Sequence, residues 1–327
     1  MLLGCDYTPS AVAFTGGQRL ILQALPFGFA YGFAAVHQAG ALGLAVDAAV
    51  VWLLTYAQGL FDVVNAGVMA LVVFTETLLV APSPWRFALI VAGLGLWRVS
   101  GGFALFALLG LNLVLAMGLW DPMISTLALV LTASFLALLI GLPLGVLSAR
   151  LQPVWRLLRP CLDLMQTMPA FVYLIPAVML FSTGAVPAII ATLVFAMPPV
   201  VRLTQLGIRQ VPLDLIEAGR AFGCSELQLL WKVQMPSALP TVMSGVNQTI
   251  MLALSMVVIA SMIGGGGLGD VVLRGIQQLD VGLGFEGGIA VVILAVILDR
   301  LSQSLMLEGE RTVEARSRRW RSLWRTP

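Results

Sequence analysis

The sequence predicts an all-α, polytopic bundle of membrane-spanning helices, and three observations predict it. Of 327 residues, 59% are hydrophobic and only 10% carry a charge, where soluble domains run near half and about a quarter. The mean hydropathy is +0.98. The apolar residues also gather in runs close to the ~20 residues that cross a bilayer. A chain of this size with so little charge cannot cover an aqueous surface. That excludes a cytosolic enzyme, a disordered segment and a nucleic-acid binder, so no nucleic acid is expected as a partner.

The runs set the elements in order. Residues 82–99, 102–119, 123–149, 162–181, 187–206, 239–263 and 283–301 read as about seven spans, the first of them short. Residues 1–81 form a hydrophobic and amphipathic segment before them. Within it, 61–80 is long enough to cross but holds Asp62, Asn65 and Glu76, while 48–64 suits the interface and 20–36 is a further candidate. This segment is expected to be interfacial or to add up to two spans. Residues 82–305 form the main membrane domain, and 306–327 a basic tail with six arginines. Cys5, Cys161 and Cys224 form no CxxC pair, and His37 is the lone histidine. No metal and no cofactor are expected, and no acid–base or nucleophile constellation marks an enzyme.

Lysine and arginine orient the chain. With residues 206–236 inside, alternation puts fifteen of the 18 basic residues on one side and leaves Arg19, Arg86 and Arg274 on the other. Basic residues collect on the cytoplasmic side, so the tail and the 206–236 loop are expected there. Trp85, Trp97, Trp120 and Trp155 fall near span ends, where indoles sit at the headgroup level.

The loop at 207–240 is the longest polar interruption in the second half of the chain. Asp214 and Glu217 have the spacing of a capping box, and so do Ser225 and Gln228. The first helix is expected to run to about Phe222, with Gly223 in the left-handed position that follows a helix. Pro236 is expected to end the second helix and Pro240 to mark entry to the next span. The result is a helix–turn–helix, read either as a rigid projection for a partner or as an amphipathic hairpin on the membrane surface.

Glu217-Ala218-Gly219, then Gly223, then Val233-x-Met235-Pro236, resembles the EAA loop of binding-protein-dependent ABC importer permeases. Departures are Gly219 for the second Ala, Val233 for Ile and Met235 for Leu, and Gly219 is expected to loosen the first helix. The stretches LDLMQTMPAFVYLIPAVMLF, FAMPPVVRLTQLGIRQVPLDLIEAGRAFG, GVNQTIMLALSMVVIASMIGGGGLG and ILDRLSQ look like the glycine betaine/proline permeases of bacterial osmoprotectant importers, over roughly residues 85–305.

The resemblance implies a type I ABC importer permease in the bacterial inner membrane. In that family two permease copies pair, here as an expected homodimer. Each docks its EAA loop on an ABC ATPase subunit, and an external substrate-binding protein delivers the cargo. The chain has no phosphate-binding loop of the Gly-x-x-x-x-Gly-Lys-Ser/Thr kind, so ATP hydrolysis is expected in a separate chain. Carried over residue by residue, the ATPase-coupling core is Glu217, Ala218, Gly219 and Gly223, with Arg220 and Phe222 as contacts. Glu217 either pairs with a basic residue of the ATPase or caps its own helix. The implied cargo is glycine betaine, proline or a related compatible solute. The alternatives are choline, carnitine or another small amine and, from a different class, a stand-alone osmosensitive channel.

Polar residues inside spans mark candidates for the pathway: Gln166, Asn247, Gln248, Met251 and Ser255. Asn247, Met251 and Ser255 are read as one face. The other reading is hydrogen-bonding glue between helices. Phe171 and Tyr173 offer aromatic faces for a quaternary ammonium, although core packing explains them as well. No carboxylate within the spans is evidently placed to hold a cation. Gln166, Thr167 and Pro169 are expected to break the start of the 162–181 span, and Pro198-Pro199 the next. Residues 264–269, GGGGLG, satisfy a GxGxxG pattern but follow a transmembrane run, so a close-packed turn explains them better than a dinucleotide site.

Overall fold

The computed structural model describes residues 41–323, with side chains only between residues 48 and 304 and not at residue 49. The expectations placed on residues 20–36, Cys5, Arg19, His37 and Arg325 lie outside these. The described residues are helices joined by short links. In order they are α1 (Ala41–Tyr56), α2 (Gln58–Val80), α3 (Pro84–Arg98), α4 (Gly101–Ala116), α5 (Trp120–Arg150), α6 (Gln152–Thr167), α7 (Leu174–Phe181) and α8 (Ala185–Arg209). There follow α9 (Leu213–Ala221), α10 (Glu226–Leu229), α11 (Met235–Ala260), α12 (Leu268–Gln278) and α13 (Val281–Leu323). The chain divides into two compact units, 1–58 and 59–327. In the smaller, Trp52 and Tyr56 stack one turn apart on α1, with ring centroids 5.4 Å apart.

The larger unit is built on α5, α8 and α11, with α8 packed between the other two and α13 against α11. Lipid tails are as apolar as leucine, so these helices gain little from hydrophobicity alone and rely on close backbone approach. Glycines provide it. A Cβ at Gly141 would lie 2.5 Å from Val200, and one at Gly145 would lie 2.6 Å from Thr204 and 2.9 Å from the Val201 carbonyl. Gly245 of α11 rests on Val200 and Leu203 in the same way, and Gly110 of α4 on Ile293 of α13. The core where these helices meet includes Met123, Ile124, Ile189 and Leu268.

Among the described residues, five helices are long and apolar enough to cross a membrane: α2, α5, α8, the continuous run Glu226–Ile263, and Val281–Ser304. The span at 162–181 is broken near its start, as Gln166, Thr167 and Pro169 lead one to expect. Helix α6 ends at Thr167, and the chain bends by 113° before Ala170–Phe181. Pro169 causes the break, because it cannot donate into the α6 ladder and holds Met168 extended at ψ 137°. Counting this pair, the described residues hold up to six spans, close to the about seven expected. Helix α2, from the segment before residue 82, adds one, and two of the expected seven fall short: α3 and α4, of 15 and 16 residues. They reach about 22–24 Å, less than the ~30 Å hydrocarbon core.

Pro198-Pro199 does not break α8, which runs unbroken from Ala185 to Arg209. Both prolines are buried, and α11 lies so close there that a Cβ on Gly245 would stand 3.3 Å from the Pro199 carbonyl. Packing holds the helix straight where local sequence favours a break. Helix α2 is attached to α5 by polar pairs: the Ser125 hydroxyl donates to Glu76 at 3.1 Å, and Thr132 donates to Thr75 at 3.2 Å.

Glycines 264–269 form the tight turn expected of them. Gly264, Gly266 and Gly267 have φ of 87°, 76° and 75°. Gly267 sits so close to Thr126 that a Cβ would lie 2.4 Å from its hydroxyl oxygen. That hydroxyl accepts the Leu268 N–H at 2.7 Å, tying the start of α12 to α5.

Candidate functional site

The 213–234 hairpin is built on its turn. Helix α9 ends in a Schellman arrangement: Cys224 N–H donates to the Gly219 carbonyl at 3.1 Å and Gly223 N–H to the Arg220 carbonyl at 2.9 Å. Gly223 has φ 78°, the left-handed conformation expected of it. The second capping box also forms, with Ser225 accepting from Gln228 N–H and Gln228 from Ser225 N–H. The first does not. Helix α9 starts at Leu213 behind Pro212, with no side-chain cap. Asp214 therefore lies within the first turn, where its charge complements the helix dipole but its backbone is already helical.

Gly219 is buried, and its Cβ would stand 2.7 Å from Leu229 Cδ1. It is the point where α9 rests on α10, so the flexibility it introduces is compensated by close packing. Glu217 and Ala218 face outward. Among the described residues Glu217 has no hydrogen-bond or ion-pair partner, so it does not cap α9. The outer surface carries Leu213, Leu227 and Trp231, and Phe222 is 89% exposed.

The base of the hairpin is held from two sides. Arg150, at the end of α5, donates to the Glu226 carbonyl at 2.5 Å, while Arg220 pairs with the Glu226 carboxylate at 3.1 Å. Arg209, at the end of α8, donates to the Ala149 carbonyl at 3.4 Å and to Gln152. Cations at these helix C-termini also complement the dipoles. Pro236 does not end the second helix. A π-helical turn, Leu230–Gln234, carries it into α11. Pro236 has no N–H to give the Lys232 carbonyl, and Met235 N–H reaches back five residues to Leu230 instead. The second half of the hairpin and the membrane helix form one continuous helical run, Glu226–Ile263.

The pathway candidates separate. Asn247 accepts a hydrogen bond from Ser302 of α13, a link between helices. Gln248 and Ser255 are exposed and Met251 half-exposed, and with Ser244 they form an open stripe at positions i, i+4, i+7 and i+11. Gln166 is exposed at the end of α6. Tyr173 is buried, its hydroxyl donating to the Met165 carbonyl, whereas Phe171 is 54% exposed.

Sequence reasoning missed the charges on α6. Asp163 accepts from Arg202 of α8 at 2.5 Å and lies 4.0 Å from Arg159. Arg159 and Asp163 stand four apart on a strongly amphipathic stretch, the signal that could have found them.

Residues 141–306 match the model of the family described as "binding-protein-dependent transport system inner membrane component". The chain belongs to this family. The permease is 52% identical over 82% of its length to the glycine betaine/proline betaine transport system permease protein ProW of Escherichia coli, covering 75% of that protein. It is 47% identical over 80% of its length to the glycine betaine transport system permease protein OpuAB of Bacillus subtilis, covering 93% of it. Among solved structures it is similar to a chain of the MetNI methionine ABC transporter in inward-facing conformations. The TM-score is 0.50 and the identity 28%, over 60% of the permease and 95% of that chain. The permease is an inner-membrane component of a transport system, with the helical architecture of a type I ABC importer permease.

Proposed function

We propose that the permease carries glycine betaine, proline betaine or a closely related compatible solute across the inner membrane, driven by a separate ABC ATPase that docks on the 213–234 hairpin. The hairpin is the observation that carries the docking. Its turn, the Ser225–Gln228 cap and its base are fixed internally, yet Leu213, Phe222, Leu227 and Trp231 stay exposed, and Glu217 has no partner among the described residues. Burying one such large side chain is worth about 1.5–3 kcal/mol, and a rigid knob loses little entropy on docking. The surface-hairpin reading gives no reason for a rod continuous with α11.

Movement of the hairpin passes to α11 through the π turn and to α5 through Arg150. Helix α11 presents the open stripe of Gln248, Met251 and Ser255. Polar groups facing lipid are costly, so this stripe lines the pathway between two paired copies, and Gln166, exposed at the end of α6, lines it too. An external binding protein supplies the solute. ATP hydrolysis belongs to the ATPase chain, and hairpin and tail lie in the cytoplasm. Residues 1–81 flank the 82–305 membrane domain. The cargo follows from the relatives, both named for glycine betaine transport.

The test is uptake of labelled glycine betaine, proline and choline by cells carrying the permease with its own ATPase and binding protein. Glycine betaine should accumulate, and removing the ATPase chain should abolish this. Uptake that persists without the ATPase would identify a stand-alone channel. Uptake of choline alone would replace the cargo.

A further inference from the structure

We infer that Arg159, Asp163 and Arg202 form a charged station for zwitterionic solutes in the inner part of the pathway; the solute class rests on the function proposed above. Helix α6 has three faces. Trp155, Leu158, Leu162 and Met165 pack against α5 and α8. Leu157 and Leu164 are open and apolar. Arg156, Arg159, Asp163 and Gln166 are open and polar. An apolar open face suits lipid. The polar one requires water or protein.

Depth separates this from a helix lying on the membrane surface. Leu162 forms one buried cluster with Val200 and Val201, against which Leu142 packs; Leu142 and Val201 each lie eight residues before their helix ends at Arg150 or Arg209, or about 12 Å along the axis. Arg202 is seven residues, about 10 Å, from the end of α8. That helix is about 37 Å long and overshoots a ~30 Å hydrocarbon core by only a few ångström at each end. The charges therefore lie below the inner boundary. Arg202 Nε is also buried with no hydrogen-bond acceptor among the described residues.

Two arginines against one aspartate leave one net positive charge. A zwitterion can exchange partners there, its carboxylate with the arginines and its ammonium with Asp163, while a bare inorganic cation meets net repulsion. Selectivity of this kind opposes ion leak through the open pathway.

The test uses the complete importer in inside-out vesicles, with Cys5, Cys161 and Cys224 replaced by Ser. Gln166→Cys and Leu164→Cys are labelled with sulfonatoethyl and trimethylammonioethyl methanethiosulfonate, one anionic and one cationic. Gln166→Cys should react much faster than Leu164→Cys and favour the anionic reagent. Asp163→Asn should raise that anionic preference several-fold, and Arg202→Gln should lower it several-fold. With the Gln166 position restored and transport assayed in whole cells, either charge substitution should lower kcat/KM for glycine betaine uptake about tenfold, the scale of one charge-assisted hydrogen bond. Asp163→Glu should recover most of it at equal levels of assembled importer.

Equal labelling of positions 164 and 166 would overturn the proposal, because the face would then hold no water. So would a charge preference that neither substitution moves, or uptake that stays unchanged. If the unmutated importer takes up no glycine betaine, the function reading fails, and the labelling alone decides the station.

Discussion

Gly219 and Gly223 sit four residues apart on one motif, and opposite physics requires them. A Cβ on Gly223 would meet nothing within 4 Å, but φ there is 78°. The demand is conformational, and an L side chain with a branched Cβ costs about 1–3 kcal/mol in that region. Gly223→Val should therefore deform the turn and uncouple ATP hydrolysis from uptake, while Gly223→Asn should retain most transport. Parallel assays of ATPase activity and glycine betaine uptake check this; equal uptake in the two variants would contradict it. Gly219 has ordinary helical geometry and is held by contact with Leu229. Sequence reasoning read Gly223 correctly, because left-handed turns have a local signature. It read Gly219 only as a loss of helix propensity, because the compensating neighbour lies across the hairpin. Glu217 has no partner among the described residues, so Glu217→Lys should leave the fold intact. It should weaken association with the ATPase by roughly tenfold or more, as expected for a lost charge-assisted contact, measured by co-purification at graded salt. Unchanged co-purification would remove Glu217 from the interface.

At the scale of elements, glycine again separates packing from propensity. A Cβ on Gly145 would stand under 3 Å from Thr204 and the Val201 carbonyl, while one on Gly93 of α3 would meet open space. Gly145→Ala should destabilise the α5–α8 pair by about 1–3 kcal/mol. Gly93→Ala should be neutral or slightly stabilising, through helix propensity. Thermal unfolding of the detergent-solubilised permease distinguishes them; similar shifts of one sign would refute the packing account. Four prolines show the same limit of local reading. Pro169 breaks its span, because the chain there turns away from α6. Pro198 and Pro199 do not, because α5 and α11 clamp α8 along its length. Pro236 yields a π turn rather than an end, because Met235 finds the Leu230 carbonyl. From sequence all four residues carry the same signal, a missing N–H, and the outcome rests on what neighbouring helices supply.

At the scale of the whole molecule, composition and run length determined the class of protein. With 59% hydrophobic and 10% charged residues, only a helical membrane bundle satisfies its backbone in lipid, and that needs no knowledge of contacts. The hairpin was legible too, because its turn glycine and its Ser225–Gln228 cap act over three or four residues. The tertiary structure alone decided which polar residues are open. Asn247 and Gln248 are adjacent and chemically alike, yet one bonds Ser302 and the other faces outward. Likewise Asp163 becomes a candidate only once α8 brings Arg202 beside it, across 39 residues of chain. Burial in lipid is a property of a segment's own composition. The pairing of a charge depends on which helix lies against it, and that is settled by packing between residues far apart in sequence.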